Sequence, residues 1–480
     1  MKKLPQTCVA VVAILMSGLT LVRVAQSWKY DSHLDHVSGV WVALALDLQK
    51  GLFYRAPFGP SGYGGTRFFP LYFCLHALGA RLLGWRAAGY FLSLASVVLL
   101  LAGVYVVLRR LSVARWLAAA AVVVTLAGSS VQDSFLGIRE DGMAAMFSIW
   151  GVALCVGKEP SFFQISAASL LFSLAFATKE TAFAGAGALF LSLLLERRFR
   201  PAWQLLGACG AGYATVLAAM YVGSSGRAFA ALHITLATGS SWRSLLYSPV
   251  AMEQMMHGYV GETVVLVLAT AALVTAYARK AVGFPGLWFL CALGIALVIF
   301  SSEGTAGNHL IELHVAGVVL FAACASEFNA ADLGMAALAA ACLMAWLELL
   351  VQHRDVDAVP GRAQLQQIVQ AIGPTSRPIL ADNPMVPIAA GQQPYLLDAF
   401  MFRAIREQEP SFSDPMWHML QEKRFAAVVL LDNPDSDEGS DTYSNYHFGD
   451  GFIPLMKQNY QPAGTVGGQY LFLPRPPNSR

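Results

Sequence analysis

Residues 30 to 70 read YDSHLDHVSGVWVALALDLQKGLFYRAPFGPSGYGGTRFFP, and the interpretation of this stretch decides the fold. In a chain that is 56% hydrophobic and only 13% charged, it is the first place where acidic, basic, His and aromatic side chains gather. After Asp35 the apolar residues Val37, Val40, Trp41, Leu44, Leu48 and Leu52 recur at helical spacing, with Ser38, Gln49 and Lys50 off the stripe. That pattern predicts a helix lying on a membrane surface rather than crossing it. A Gly-rich, Pro-punctuated loop from Ala56 to Arg67 follows, and then a second apolar stretch opening at Phe68-Phe69-Pro70-Leu71. Together they predict a pocket at the membrane surface with Asp31, Asp35, His36 and Arg67 at its mouth.

Outward from this stretch the composition fits a polytopic membrane protein. Soluble chains carry about a quarter charged residues, far more than this one. A net charge of +2 over 480 residues gives no reason to expect nucleic acid as a partner, and the basic residues sit in short clusters between apolar runs, where topology explains them. The seven cysteines all fall in apolar stretches without CxxC spacing, so they read as packing residues.

The apolar run from Cys8 to Val22 behind Met1-Lys2-Lys3 reads as an uncleaved anchor rather than a signal peptide, because Arg23 stands where a cleavage site wants a small residue. Residues 26 to about 87 are then expected outside the cytoplasm. Leu71 to Leu83 covers about 20 Å at 1.5 Å per residue, short of the roughly 30 Å hydrocarbon core, and so predicts an interfacial helix. Further spans are expected near 88–108, 116–132, 142–157, 161–178, 181–195, 202–222, 262–278, 286–301, 309–325 and 332–350, with residues 223 to 260 a polar loop. Basic turns at Arg109 to Arg115, Glu196 to Arg200 and Arg279-Lys280 read as cytoplasmic. Eleven spans place the C-terminus outside, and on the same outer side fall Asp133, Arg139, Glu140, Asp141, Lys179, Glu180, Glu303, Asn308 and Glu312.

Near Val351 the long apolar runs stop and Pro, Asp, Gln and Asn become common. Two domains are expected: a helical membrane domain over 1–350 and a small soluble α/β domain over 351–480. In the second, helix-like stretches (Gly361 to Ala371, Asp398 to Gln408, Asp414 to Lys423) alternate with short strands (Arg377 to Ala381, Ala426 to Leu431, Gln469 to Leu473). The acidic turn from Asp432 to Gly439 lacks the spacing of a calcium loop and reads as solvated surface.

In order along residues 1 to 350 the sequence shows an acid after the first span (Asp35, or Asp31), then Ala45 to Arg55 closing the surface helix, then Pro70-Leu71-Tyr72, Arg139-Glu140-Asp141, Thr178-Lys179-Glu180 and Gly307 to Glu312. This ordered set resembles the GT-C glycosyltransferases, and within them family 39 and its relatives, the protein O-mannosyltransferases and lipid A aminoarabinose transferases. The resemblance implies an all-α polytopic fold and an inverting transfer of sugar from a polyprenyl-phosphate donor, on the outer face of a bacterial-type inner membrane. Its partners would be the donor lipid, membrane lipids and an acceptor glycan, lipid or protein. Many members have Asp-Glu where this chain has Asp35-His36, and a divalent cation is the one cofactor left open. The alternatives are a lipid or solute transporter and a GT-C scaffold that has lost its chemistry.

Transfer from a lipid phosphate needs a carboxylate for the acceptor proton and cations for the departing phosphate. Asp35 fits the first role and equally fits a helix N-cap. Asp31 could share the site or be a solvated loop charge, and Asp47 reads as a polar residue on the surface helix. Arg67, Arg139 and Lys179 are candidates for the phosphate, against local pairing of Arg139 with Glu140 or Asp141 and of Lys179 with Glu180. His36, Asp141, Asn308 and Glu312 are candidate substrate contacts. Glu312 lies in a segment entering the membrane, where an ionisable side chain is costly unless it has a function, whereas His309 and His314 read as packing or polar contacts.

Overall fold

The computed structural model describes residues 4–157, 159–237, 241–302, 304–352 and 361–476; Glu303 lies outside them. The first part is helical: α1 (Leu4–Tyr30), α2 (His36–Gln49), α3 (Pro70–Leu83), α4 (Trp85–Arg110), α5 (Arg115–Ala127), α6 (Ser129–Leu136), α7 (Asp141–Cys155), α8 (Phe162–Thr178), α9 (Ala184–Leu195), α10 (Phe199–Ser224), α11 (Arg227–Ala237), α12 (Trp242–Met256), α13 (Val260–Ala278), α14 (Phe284–Ile299), α15 (Ile311–Glu327) and α16 (Ala331–Gln352). Among the described residues six helices are long and apolar enough to cross a membrane, and α5 with α6 makes a seventh if that bent pair is one span. The other expected spans, α7, α8, α9 and α14, are apolar helices of under 18 residues. They pack side by side with the long helices, α7 against α4 and α8, α14 against α9 and α15.

Three local expectations from sequence give way. The span expected over 116–132 is broken at Gly128, where α5 and α6 meet at 64°. The break leaves α6's first amides without intrahelical partners, and Glu262 of α13 accepts from Ser130 N at 2.8 Å and Ser130 Oγ at 2.6 Å. A Cβ at position 128 would lie 2.9 Å from His314 Nε2 and 3.0 Å from Glu262 Oε1, so only glycine admits this close approach. The polar loop expected over 223–260 is largely two helices, α11 and α12. Finally, α2 does not lie bare on a membrane: residues 38 to 45 are buried on every face, because the second part of the chain covers it.

That part holds α17 (Arg362–Ile372), α18 (Met385–Ala389), α19 (Ala399–Gln408), α20 (Asp414–Gln421), α21 (Asp437–Asp441) and α22 (Phe452–Asn459). Strands β1 (Phe58–Gly59) and β2 (Gly62–Tyr63) form a small ribbon in the first part; β3 (Ile379–Ala381), β4 (Ala427–Leu430), β5 (Tyr460–Val466) and β6 (Gln469–Pro474) form a sheet in the order β3-β4-β6-β5. β3 and β4 run parallel and the β5–β6 hairpin completes the sheet antiparallel. Alternation along the strands divides its two faces. Leu380, Val428, Leu430 and Phe472 point into one core with Phe402, Met416 and Phe452, while Ile379, Ala381, Val429 and Leu471 join the apolar cluster that continues into the helical bundle. β5 was not legible as a strand, since Pro462, Gly464 and Thr465 break the apolar alternation.

The Gly-rich loop of residues 56–67 is a strut between the two parts. Tyr63 donates its amide to Tyr395 O at 2.7 Å, accepts from Leu397 N at 3.0 Å and donates its hydroxyl to Phe412 O at 2.8 Å. Gly62 has φ +85°, and a Cβ there would meet Tyr395 O at 2.1 Å. At the other end of α2, Asp47 is buried rather than a surface residue. Arg55 donates Nε and Nη2 to its two oxygens at 2.5 and 3.0 Å, Gln393 adds Nε2 at 2.8 Å, and Arg55 Nη1 reaches Pro394 O at 2.6 Å. Removing one partner of a buried pair strands the other charge at a cost of about 3–5 kcal/mol. Asp47→Ala is therefore expected to lower thermal stability in detergent by that order, and a melting temperature equal to wild type would show the pair to be dispensable.

Candidate active site

Asp35 precedes α2, and its Oδ1 accepts the Ser38 amide at 2.8 Å, the N-cap geometry of a carboxylate at a helix start. Its Oδ2 pairs with Arg139. Arg139 stands in the link between α6 and α7, and Ser93 of α4 holds that link by accepting Arg139 N at 3.2 Å and donating to Arg139 O at 3.3 Å. Next to it, Ile138 N donates to Ser38 Oγ at 3.3 Å, so the link and α2 share one anchor. Burial by itself would raise the Asp35 carboxyl; the Arg139 guanidinium, with smaller help from His36 and Ser38, outweighs it and holds Asp35 below its ordinary value. The same carboxylate pushes Arg139 up despite burial. Asp35 thus acts as cap and ion-pair partner at once.

A second pair lies deeper. Lys179, just past α8, pairs with Asp141 at the head of α7, and Asn308 Nδ2 donates to the same Asp141 oxygen at 2.8 Å. Arg67 is bound differently: its Nη2 reaches Gly304 O at 3.4 Å and its guanidinium lies 4.8 Å from the Phe400 ring, and among the described residues it makes no ion pair with a carboxylate. Its charge is available to an anionic ligand.

These groups surround a cavity of about 330 Å³, lined by Asp35, His36, Arg67, Arg139, Lys179 and Asn308 from the helical part, together with Glu140, Glu180 and His309. Asp398, Phe400, Tyr446 and His447 close it from the C-terminal part. No sequence signal singled out these last four, because they belong to a domain whose approach to α2 is a tertiary event; His309, read as a packing residue, also faces the cavity. His447 lies 3.3 Å by Nδ1 from Asp382 Oδ1 and edge-on to His36, with ring centroids 5.8 Å apart. Burial alone would lower the imidazole, but Asp382 first, then Asp398 and Asp432, raise it above its ordinary value.

Three expected site residues do not line this cavity: Asp141, which lies behind Lys179, Asp31 and Glu312. Asp31 is fully buried with φ +59°, paired with Arg86 at 2.7 Å and Arg362 at 3.1 Å. It is neither at the cavity nor solvated, and ties α1 to α4 and α17. Glu312 accepts from Ser148 Oγ at 2.9 Å, Gly185 N at 3.0 Å and Trp288 Nε1 at 3.5 Å. It borders a narrow hollow of about 40 Å³ shared with Asp141, Lys179 and Asn308.

No protein-family model matches the sequence, and no curated protein matches it. Solved structures do. ArnT from Cupriavidus metallidurans bound to undecaprenyl phosphate aligns with TM-score 0.60 at 13% identity, over 96% of this chain and 97% of that one. The oligosaccharyltransferase of Archaeoglobus fulgidus in its apo form aligns with TM-score 0.57 at 12% identity, over 98% of this chain and 74% of its own. Both neighbours are GT-C membrane glycosyltransferases. The chain has the GT-C fold. The alignment with ArnT runs through both parts, so the C-terminal sheet belongs to the shared architecture.

Among the described residues no group of three His, Cys, Asp or Glu lies together as metal ligands. The Asp35–Arg139 pairing has a measurable consequence. Carbodiimides label protonated carboxyls, so wild-type Asp35 should resist labelling at mildly acidic pH; Arg139→Gln removes what lowers its titration, and labelling by peptide mass spectrometry should rise. Equal labelling in both proteins would show that Arg139 does not control Asp35.

Proposed function

We propose that this chain is a glycosyltransferase that moves a sugar from a polyprenyl-phosphate donor to an acceptor at the outer face of the membrane, with inversion. The observation that carries it is the shared cavity, in which the Asp35 carboxylate stands among Arg67, Arg139 and Lys179 at the end of a GT-C bundle, with Glu140, Glu180 and Asp398 also in its wall. Phosphate is the ligand such cations suit: Arg grips it bidentately, and three positive groups offset the charge that grows on it as the glycosidic bond breaks. The ArnT structure with undecaprenyl phosphate and that of the archaeal enzyme with dolichol-phosphate support a donor of this kind.

In this reading Arg139 bridges the donor phosphate and Asp35. Oδ2 keeps a second lone pair to accept a hydrogen bond from the acceptor hydroxyl, which attacks the anomeric carbon from the side opposite the phosphate. Oδ1 stays on Ser38, so the carboxylate keeps its aim. Orientation is supported by α4, which has Ser93 beside Arg139 near its start and Arg109-Arg110 at its end; short basic turns favour the cytoplasm, leaving the cavity and the C-terminal domain outside, in a bacterial-type inner membrane. A transporter would hold its charged site near the middle of the bundle rather than beneath an end domain.

Binding of undecaprenyl phosphate to the detergent-solubilised protein tests the donor. Arg67→Gln, which removes a cation that makes no ion pair with a carboxylate among the described residues, should weaken it by about 1.5–3 kcal/mol, and unchanged affinity removes Arg67 from the phosphate site. Asp35→Asn can still cap α2, so it should fold and bind the lipid while sugar transfer falls about a hundredfold to ten-thousandfold. A well-expressed Asp35→Asn protein turning over at wild-type rate would leave the cavity carboxylate without a role in transfer.

A further inference from the structure

Asp35 can orient an acceptor hydroxyl but is a poor place for its proton to stay, since Arg139 stabilises the ionised form and works against protonation. The C-terminal side of the same cavity carries a more basic group. His447 lines the cavity and is 13% exposed, next to Tyr446, which is 44% exposed. Its Nδ1 faces Asp382, whose carboxylate is almost fully buried and also accepts Leu431 N at 3.3 Å. At 3.3 Å the contact is out of line for a hydrogen bond, but a carboxylate beside Nδ1 favours the ring proton on that nitrogen and leaves Nε2 as the nitrogen open to a ligand.

We propose that the Asp382–His447 pair is the proton acceptor of the transfer reaction, which makes the C-terminal domain part of the catalytic apparatus. This rests on the glycosyltransferase reading of the cavity. The acceptor oxygen forms its bond to the anomeric carbon, the bond from that carbon to the phosphate oxygen breaks, and the electron pair leaves with the polyprenyl phosphate. The acceptor proton, aimed by Asp35, passes to neutral His447 Nε2 and from there to water at the Tyr446 mouth. Asp382 is a positioning residue: it favours the ring proton on Nδ1 and stabilises the imidazolium that forms. The titratable groups facing His447 are Asp382 beyond β3, Asp398 at the head of α19, Asp432 after β4, Tyr443, and His36 across the cavity. The three carboxylates act together to place the imidazole's titration above its ordinary value, where a base working near neutral pH is wanted.

The test uses membranes carrying the full chain, with the host's own polyprenyl-phosphate sugars and acceptors, and follows released polyprenyl phosphate by mass spectrometry from about pH 5 to about pH 9. Wild type should lose rate as pH falls and His447 becomes protonated. Asp382→Asn removes the largest influence raising that titration, so the acid limb should move to lower pH. His447→Gln should bind undecaprenyl phosphate as wild type does, turn over about a hundredfold or more slowly, lose the acid limb and recover rate with added imidazole. A folded His447→Gln protein with the wild-type rate and limb, or one that imidazole fails to rescue, overturns the proposal. So does an unmoved limb in Asp382→Asn, which decides the matter alone if His447→Gln does not fold. If wild type itself releases no polyprenyl phosphate, the glycosyltransferase reading falls and this proposal with it.

Discussion

An ionised side chain in oily surroundings must find an opposite charge, and this requirement organises the molecule. Asp31 meets Arg86 and Arg362, Asp35 meets Arg139, Asp47 meets Arg55, and Asp141 meets Lys179. Several of these partners are distant in sequence, so the pairs dictate which segments touch. Asp31 brings the head of α17 to the end of α1; Asp35 brings the α6–α7 link to the head of α2. With Asp47 secured by Arg55 and Gln393, α2 is held at both ends and covered from above.

A consequence for function is that the cavity has two sides of different chemistry. Its helical side gathers the cations Arg67, Arg139 and Lys179 among the carboxyl groups of Asp35, Glu140 and Glu180. The side supplied by the C-terminal domain offers a carboxylate, a histidine and aromatic rings, and suits hydroxyl-bearing groups. Phe400 links the two, since Arg67 stacks on its ring at 4.8 Å while Arg403 approaches it at 5.4 Å. The C-terminal domain therefore helps to place Arg67, as well as closing the cavity.

The helical part was legible where apolar length dominates. Helices such as α1, α4, α10, α13 and α16 follow from runs that water excludes whatever their neighbours. A local pattern misleads where a distant partner overrules it. At α5–α6 the apolar run looks continuous, yet Gly128 allows Glu262 and His314 to approach and the helix turns. In α2 the polar edge suggested water; Asn383, whose Nδ2 donates to Leu34 O at 3.2 Å, and the residues after it cover that edge instead.

By itself the sequence determined the polytopic class, the change of composition near residue 351, most strands of the C-terminal sheet and the set of charged residues from which the cavity is drawn. Each of these depends on local composition or spacing, which the order of residues contains. Tertiary structure decided the rest. It separated Asp35, which pairs with Arg139 in the cavity wall, from Asp31, buried four residues earlier against Arg86 and Arg362, and it brought His447 to His36 from more than four hundred positions away in the chain. Neither outcome is available to a local pattern, because Coulomb attraction and burial act through space on side chains that the chain itself keeps far apart.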